Sequence, residues 1–215
     1  MKPVLNIYLP LTLLIAVSCS APKQKKLPVL GRSQILERVE KGETVYDTIP
    51  HTIADFRFLN QDSAWVTNQS LDDNIYVADF FFTSCPSICP IMKSQLIRVH
   101  EEFKGQEDLK LVSYSIDPEY DTVAVLKEYA KALGVSSSKW HFLTGPKEEI
   151  YELGEGSYMV TTAEDESAPG GFLHSGAFLL VDKERRIRGV YDGTVPEQVD
   201  NLMDDIRALS EEYAP

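Results

Sequence analysis

Two cysteines near the middle of the chain, Cys85 and Cys89, form the residue pair best suited to chemistry. They lie in the segment FFFTSCPSICP, where three residues separate them and a proline follows each one. Two thiols at this spacing can lie side by side on one loop, where they could bind a soft metal or close a disulfide. The spacing alone does not choose between a metal site and a disulfide.

A third metal ligand would help to choose, and the chain has four histidines. His100 follows Cys89 by eleven residues on the same predicted helix. That separation is about 16 Å, too far for the two to share a metal. His51 precedes the first predicted strand and His141 lies in a later one, and both are interpreted as structural or surface residues. His174 remains as the candidate.

The elements that must position these residues follow from the hydrophobic pattern. Alternating or continuous apolar runs predict strands, and apolar positions three or four residues apart predict helices. The predicted strands are 53–58, 64–67, 74–83, 109–116, 140–143, 176–181 and 187–191, and the predicted helices are 90–104, 122–133, 147–153 and 196–209. Asp121 is expected to cap the second helix, and Gly134 is expected to end it.

Strands that alternate with helices, followed by a closing hairpin and a helix, indicate an α/β fold. The order is that of a thioredoxin-like fold with an N-terminal β-hairpin. The cysteines fall between the first central strand and its helix, the usual place for chemistry in an open α/β sheet. Cys89 is close to the start of that helix, where the amide dipoles favour a thiolate.

His174 lies in the flexible segment GGFLHSG, which enters the late hairpin. In a thioredoxin-like fold this part of the chain faces the cysteine loop. Thiol-disulfide oxidoreductases of that fold place a cis-proline there, whereas this chain has no proline between Pro169 and Pro196. We therefore predict that His174 is a metal ligand.

Two thiolates and one imidazole make a soft site with few ligands, which suits copper as Cu(I) or Cu(II). Structural zinc normally takes four ligands, and the sequence offers no convincing fourth. Met92 and Met159 could approach the site, but a methionine at helical spacing is more often a core residue.

The first twenty residues predict a targeting segment. Lys2 supplies a positive charge, and residues 4–17 form an uncharged apolar run. The run is too short for a comfortable membrane-spanning helix and fits a secretory signal. It ends in AVSC, which resembles a bacterial lipobox, so we predict that residues 1–18 are removed and that Cys19 carries a lipid. The alternatives are an ordinary signal peptide and an uncleaved anchor.

Residues 19–46 are predicted to tether a folded domain, residues 47–215, outside the cytoplasm. The formal net charge of −12 argues against a nucleic-acid partner, because nucleic-acid binding needs a basic surface. A single pair of closely spaced cysteines in an extracytoplasmic domain indicates that the pair has a specific role.

Three separate motifs resemble the Sco (SenC) family of copper proteins, over residues from about 50 to 191. They are FFFTSCPSICP at 80–90, SIDPEYDT at 115–122 and LHSGAFLLVD at 173–182. The resemblance implies a thioredoxin-like fold and a membrane-tethered domain in the periplasm or the intermembrane space. It also implies one copper held by Cys85, Cys89 and His174. Many members use a transmembrane helix as anchor, whereas this sequence predicts a lipid.

Members of this family deliver copper to cytochrome c oxidase or reduce the cysteines of its copper site before metallation. The resemblance does not decide between these activities. The expected partner is the copper-bearing subunit of the oxidase or another copper carrier. Asp117 and Asp121 lie in the family's acidic loop motif, where they could support the metal site or dock a partner. In a simpler interpretation, Pro118 and Asp121 only shape the start of a helix.

Two other functions remain open. A thiol-disulfide oxidoreductase would use Cys85 or Cys89 to attack a partner's disulfide. The fold favours this function, whereas the CxxxC spacing and the absent cis-proline argue against it. A peroxide-reducing enzyme would need an arginine in the cysteine loop, and the nearest, Arg98, lies far along the helix. A copper metallochaperone is therefore the leading hypothesis.

Overall fold

The computed structural model describes residues 26–165, 167 and 169–214, and for Leu173 and His174 it describes the backbone only. Its strands are β1 (Gln34–Glu40), β2 (Glu43–Ile49), β3 (Arg57–Asn60), β4 (Trp65–Thr67), β5 (Ile75–Phe81), β6 (Leu109–Ser115), β7 (Trp140–Thr144), β8 (Thr162–Glu164), β9 (Phe172–His174), β10 (Ala177–Val181) and β11 (Ile187–Asp192). Its α-helices are α1 (Cys89–Glu102), α2 (Val123–Leu133), α3 (Lys147–Glu152) and α4 (Pro196–Glu212).

A sheet of seven strands in the order β11-β10-β5-β6-β7-β3-β4 forms the centre of the domain. β5, β6 and β7 are parallel, and the remaining neighbours are antiparallel. Every residue of β5 is buried, as expected of a strand covered on both faces. Because parallel strands end at the same edge, the cysteine loop (residues 82–88) and the acidic loop (residues 116–122) are neighbours. This architecture confirms the predicted α/β class.

The first predicted strand is wrong in its first half, because residues 53–56 are not a strand and β3 begins at Arg57. The side chain of Asn68 hydrogen-bonds to the backbone of this segment instead. Its Oδ1 accepts from the N–H of Phe56 at 2.8 Å, and its Nδ2 donates to the carbonyl of Ala54 at 3.0 Å. A side-chain amide thus takes the hydrogen-bonding positions that a neighbouring strand would use.

The residue that caps α2 is Thr122 and not Asp121. The side-chain oxygen of Thr122 accepts from the N–H of Val125 at 3.4 Å. Gly134 ends the helix with a φ of 71°, as predicted. Asp121 is fully buried, and its carboxylate binds the cysteine loop rather than its own helix.

Part of the segment predicted as a tether is folded. β1 and β2 form an exposed antiparallel hairpin, and the predicted boundary at residues 46 and 47 falls inside β2. Further upstream, the Leu27 side chain is buried. The guanidinium of Arg188 donates to the carbonyls of Leu27 at 2.8 Å and Pro28 at 3.1 Å, and Glu212 accepts from the N–H of Leu27 at 2.8 Å. The chain is therefore fixed to the domain from Leu27 onward.

This N-terminal attachment lies at the opposite end of the sheet from the cysteine loop. Arg188 is near the start of β11, where Ile187 pairs with Val181 at the end of β10. Val181 in turn pairs with Tyr76, near the start of β5. The cysteine loop follows the other end of β5, so the length of that strand separates the two features.

Candidate functional site

The two cysteines lie at the junction between β5 and α1, as the sequence predicts. The N–H of Cys85 donates to the carbonyl of Phe82 at 3.3 Å, which forms the first turn of the loop. Cys89 is the first residue of α1. Both are thiols in the structure, and their side chains hydrogen-bond to each other. The loop therefore brings two sulfur atoms together on one short segment.

Burial and hydrogen bonding give the two thiols different acidities. Burial raises the pKa of Cys89 to about 12, although the hydrogen bond to Phe82 and the charge of Lys93 act in the opposite direction. Burial would also raise the pKa of Cys85. Hydrogen bonds to Ser87 and Cys89 outweigh that effect and hold the pKa of Cys85 below its ordinary value. The expectation that the helix start would favour a thiolate at Cys89 is therefore wrong, because desolvation is the larger effect there.

The cysteine loop is held at its N-terminal end by the buried carboxylate of Asp121. This carboxylate accepts from the N–H of Thr83 at 3.0 Å and from the hydroxyl of Ser115 at 2.6 Å. The hydroxyl of Thr83 donates to it as well. One side chain of the acidic loop thus ties the end of β6 to the point where the chain leaves β5.

A buried charge pair behind the cysteines was missed by the sequence analysis. Lys93 lies one helical turn after Cys89, and its Nζ is 2.6 Å from Asp79 Oδ2 and 3.0 Å from Ser113 Oγ. The indole N–H of Trp140 donates to the same hydroxyl at 2.9 Å. Asp79 within an apolar strand was the available signal, because a buried carboxylate requires a partner.

A cleft of about 320 Å³ opens beside the cysteine pair. Lys93 and Tyr129 line it together with Cys85 and Cys89. The two cysteines are only 7% and 2% exposed, respectively. The cleft therefore offers the route by which a small ion or a partner's side chain could reach two sulfur atoms that are otherwise covered.

The segment before His174 packs against the cysteine loop. The rings of Phe172 and Phe82 lie 5.0 Å apart between centroids. Gly170 has a φ of +85°, and a Cβ built on it would lie 2.8 Å from the ring of Phe82 and 3.1 Å from Pro86 Cδ. Only glycine fits this approach, so the backbone leading to His174 touches the loop that carries the cysteines.

The backbone of His174 is fixed on the other side as well. Its Cα is paired with Thr162 in the β8–β9 ribbon. A Cβ built on Gly176, two residues later, would lie 3.7 Å from Ile88 Cδ1 of the cysteine loop. The structure thus brings the backbone of His174 next to the loop of Cys85 and Cys89, while its side chain lies outside the described part. The predicted lipid site, Cys19, also lies outside the described residues.

The other histidines have contacts elsewhere. His51 Nε2 hydrogen-bonds the carbonyl of Ser157 at 2.7 Å, and the ring of His100 lies 6.2 Å from that of Trp140. Burial lowers the pKa of His141 to about 4. Among the described side chains, no group of three or more His, Cys, Asp or Glu residues converges into a metal site.

The remaining candidates are also separate from the cysteines. Met92 is completely buried in the core, and Met159 is exposed and lines a different cleft. Arg98 forms an ion pair with Asp200 of α4 at 2.6 Å. An arginine engaged at the helix surface does not fit the activating role that peroxide reduction would require.

Comparison with known proteins identifies the family. The SCO1/SenC family model matches residues 46–211 of the chain. The chain belongs to the SCO1/SenC family. The three motifs that suggested the resemblance all lie within the matched range, at residues 80–90, 115–122 and 173–182.

Three solved SCO1/SenC structures are similar to this chain. A SCO1/SenC family lipoprotein from Bacillus anthracis has a TM-score of 0.69 and 26% identity, covering 74% of this chain and 95% of that one. BsSco, a member of the Sco family of cytochrome c oxidase assembly proteins, has a TM-score of 0.66 and 29% identity, covering 75% and 94%. Arabidopsis thaliana ScoI with copper bound has a TM-score of 0.60 and 29% identity, covering 72% and 97%. These similarities confirm the thioredoxin-like fold.

Cys85 should react with a thiol reagent before Cys89, because alkylation requires the thiolate and the pKa of Cys85 is the lower of the two. Peptide mass spectrometry after brief iodoacetamide treatment of the reduced protein near neutral pH measures both rates. The Cys89→Ser variant should keep the fast reaction, whereas Cys85→Ser should react only at strongly alkaline pH. Equal rates at the two positions would contradict the difference in acidity.

Replacing Asp121 by alanine should loosen the cysteine loop, because two hydroxyls and one N–H lose their acceptor. We expect the free energy of unfolding to fall by about 2–4 kcal/mol, measured by urea denaturation. Glu119→Ala, at an exposed position of the same loop, is the matched control and should change it by less than about 0.5 kcal/mol. Similar stability of the two variants would show that the carboxylate does not hold the loop.

Proposed function

We propose that this chain is an extracytoplasmic copper-binding protein that serves the assembly of cytochrome c oxidase. The observation that carries the proposal is the pair of mutually hydrogen-bonded thiols, Cys85 and Cys89, with the backbone of His174 packed next to their loop. Thiolates select soft metals such as Cu(I), and imidazole accepts either oxidation state of copper. The similarity to a copper-bound Arabidopsis protein and to an oxidase assembly protein supports the same assignment.

In this proposal Cys85, Cys89 and His174 are the copper ligands, and copper is the cargo. A thiol must lose its proton to bind a metal, so loading releases protons. Cys85 gives up its proton more readily, and Cys89 does so only when the metal compensates for burial. The cleft beside the pair gives a partner's ligands access for exchange. The recipient would be the copper-bearing subunit of the oxidase or another copper carrier.

A thiol-disulfide oxidoreductase is the second candidate, and the unequal acidity of the two thiols favours it. The Cys85 thiolate would attack a partner's disulfide and form a mixed disulfide, releasing one partner thiol. Cys89 would then displace the second partner sulfur. The pair on this chain becomes a disulfide as the partner's disulfide becomes two thiols, which balances the two electrons. The copper-site cysteines of the oxidase would be a substrate of this kind.

Copper titration separates the two candidates. The reduced protein lacking residues 1–22, loaded with Cu(I) without oxygen against a competing chelator, should hold one copper tightly. Cys85→Ser, Cys89→Ser and His174→Ala should each weaken the affinity at least tenfold, a change of about 1.4 kcal/mol or more. His51→Ala is the matched control, because its imidazole binds the carbonyl of Ser157. Full copper retention by Cys85→Ser would overturn the copper site.

Trapping of a partner tests the second candidate on its own. A Cys89→Ala variant should accumulate a mixed disulfide through Cys85 if the chain acts as a reductase. Adding His174→Ala should leave that trapping unchanged, since the imidazole has no part in disulfide exchange. Copper binding that is independent of His174, combined with efficient trapping, would make the redox function the leading one.

We also propose that the protein is a lipoprotein on the outer side of a bacterial membrane. The AVSC sequence at residues 16–19 supports a lipid at Cys19 after removal of residues 1–18, and one similar protein is a lipoprotein. Within residues 26–165, 167 and 169–214, no helix is long and apolar enough to cross a membrane. The tether would then comprise the residues between Cys19 and the attachment at Leu27.

Cys19→Ser should abolish membrane anchoring by a lipid, because the acceptor sulfur is lost. After expression of the full chain in a bacterium fed with a clickable fatty acid, the wild-type protein should be labelled and sediment with membranes. The Cys19→Ser variant should lose the label, and Ser20→Ala should keep it as the matched control. Labelling of Cys19→Ser at the wild-type level would exclude Cys19 as the lipid site.

A further inference from the structure

A buried cation lies behind the cysteine pair. The side chain of Lys93 is buried, and its Nζ is 2.6 Å from Asp79 Oδ2. The same Nζ donates to Ser113 Oγ at 3.0 Å and lies 4.0 Å from the centroid of the Phe81 ring. Burying two charges costs free energy, and apolar side chains of similar volume often stabilise a fold equally well. Stability is therefore a weak explanation for a lysine at this position.

The ammonium of Lys93 lies on the side of its ion pair that is nearer to the cysteines. Lys93 follows Cys89 by four positions in α1, so the two side chains are neighbours on one face of the helix. The described residues that line the cleft include both of them but not Asp79. The ring of Phe81, beside the ammonium, is two residues closer to the cysteine loop than Asp79 along β5. Burial raises the pKa of Cys89, and the charge of Lys93 acts on the same thiol in the opposite direction.

Two buried carboxylates near the cysteine loop disfavour negative charge there. One is Asp79, the partner of Lys93, and the other is Asp121, which accepts from the N–H of Thr83 in the cysteine loop. Of the described residues that line the cleft, Lys93 is the one that carries a charge. Negative charge on the sulfur atoms is thus opposed by both carboxylates and stabilised by the ammonium of Lys93.

The two oxidation states of copper would give the cysteine site different net charges. A pair of thiolates with Cu(I) keeps one negative charge, whereas the same pair with Cu(II) is neutral, and a neutral ligand changes neither sum. A fixed ammonium in a buried site stabilises the negatively charged state more than the neutral one. The charge of Lys93 therefore acts differently on the two forms.

We propose that Lys93 is a specificity-determining residue of the copper site: its ammonium is the counter-charge of the Cu(I)-loaded cysteine pair and makes the site prefer Cu(I) to Cu(II). Asp79 and Ser113 hold the ammonium in place through their hydrogen bonds. The inference rests on the proposed function, because it needs Cys85 and Cys89 as copper ligands.

Comparison of Asp79→Asn with the double variant Asp79→Asn/Lys93→Met isolates the ammonium, because the two proteins differ only at Lys93. Both are measured as the full-length chain purified in detergent, loaded with Cu(I) or Cu(II) against competing chelators. The ratio of Cu(I) to Cu(II) affinity should be about tenfold lower in the double variant, as expected for the loss of one nearby charge. In a potentiometric titration, the midpoint potential of the bound copper should fall by about 59 mV for each tenfold change, since one electron is transferred.

The ratio of affinities separates this role from packing. A residue that only supports the fold would change the Cu(I) and Cu(II) affinities alike and leave their ratio unchanged. The double variant without metal should also melt close to the wild type, because both members of the ion pair are removed together. Lys104→Met is the matched control: it removes an equal charge from an exposed position just beyond the other end of α1. It should leave the ratio within about twofold of the wild type, since exposed charges act weakly.

Comparison of the double variant with the wild type gives a second test that does not depend on the folding of Asp79→Asn. The ratio should again fall, by about threefold or more, because the ammonium is nearer to the cleft than the carboxylate that is removed with it. An unchanged or higher ratio in the double variant would overturn the inference alone. If the reduced wild type binds no copper, or if Cys85→Ser binds it equally well, the proposed copper site fails together with this inference.

Discussion

The carboxylate of Asp121 is the constraint on which the site depends. It binds both the N–H and the hydroxyl of Thr83 and the hydroxyl of Ser115, so two parallel strands leave the sheet in a fixed relation to each other. Thr83 is two residues before Cys85, which means that the position of the first sulfur atom follows from this contact. These three hydrogen bonds make the acidic loop a part of the cysteine site.

The two sides of the cysteine loop have different chemical characters. The side of α1 carries the buried pair of Lys93 and Asp79, whose ammonium favours negative charge at Cys89. On the other side, the β8–β9 ribbon packs against the loop through the aromatic rings of Phe172 and Phe82. Between these environments, desolvation raises the pKa of Cys89 to about 12, whereas hydrogen bonds hold the pKa of Cys85 below its ordinary value.

The sequence predicted the elements whose hydrophobic pattern is strong and local. β5 and β6 are mostly apolar and almost entirely buried, and β10 and β11 flank a polar turn, so the pattern of buried residues is enough to predict these strands. The apolar pattern of residues 53–56 wrongly predicted a strand. The backbone there is hydrogen-bonded by the side chain of Asn68, which is more than ten residues away in the sequence. Cys85 and Cys89 were identified from their spacing in the sequence. Their relative acidity could not be predicted in this way, because it depends on burial and on the hydrogen bonds to Ser87. The short β8–β9 ribbon has no clear alternation, and only its tertiary contacts define it.

The attachment of Leu27 to Arg188 and Glu212 has a consequence for how the protein meets its partners. Leu27 lies eight positions after Cys19, and an extended chain of that length reaches at most about 28 Å. A lipid at Cys19 would therefore keep the whole domain within a thin layer above the bilayer, held by the end opposite the cysteine loop. Encounters with other membrane proteins would then occur by lateral diffusion at high effective concentration.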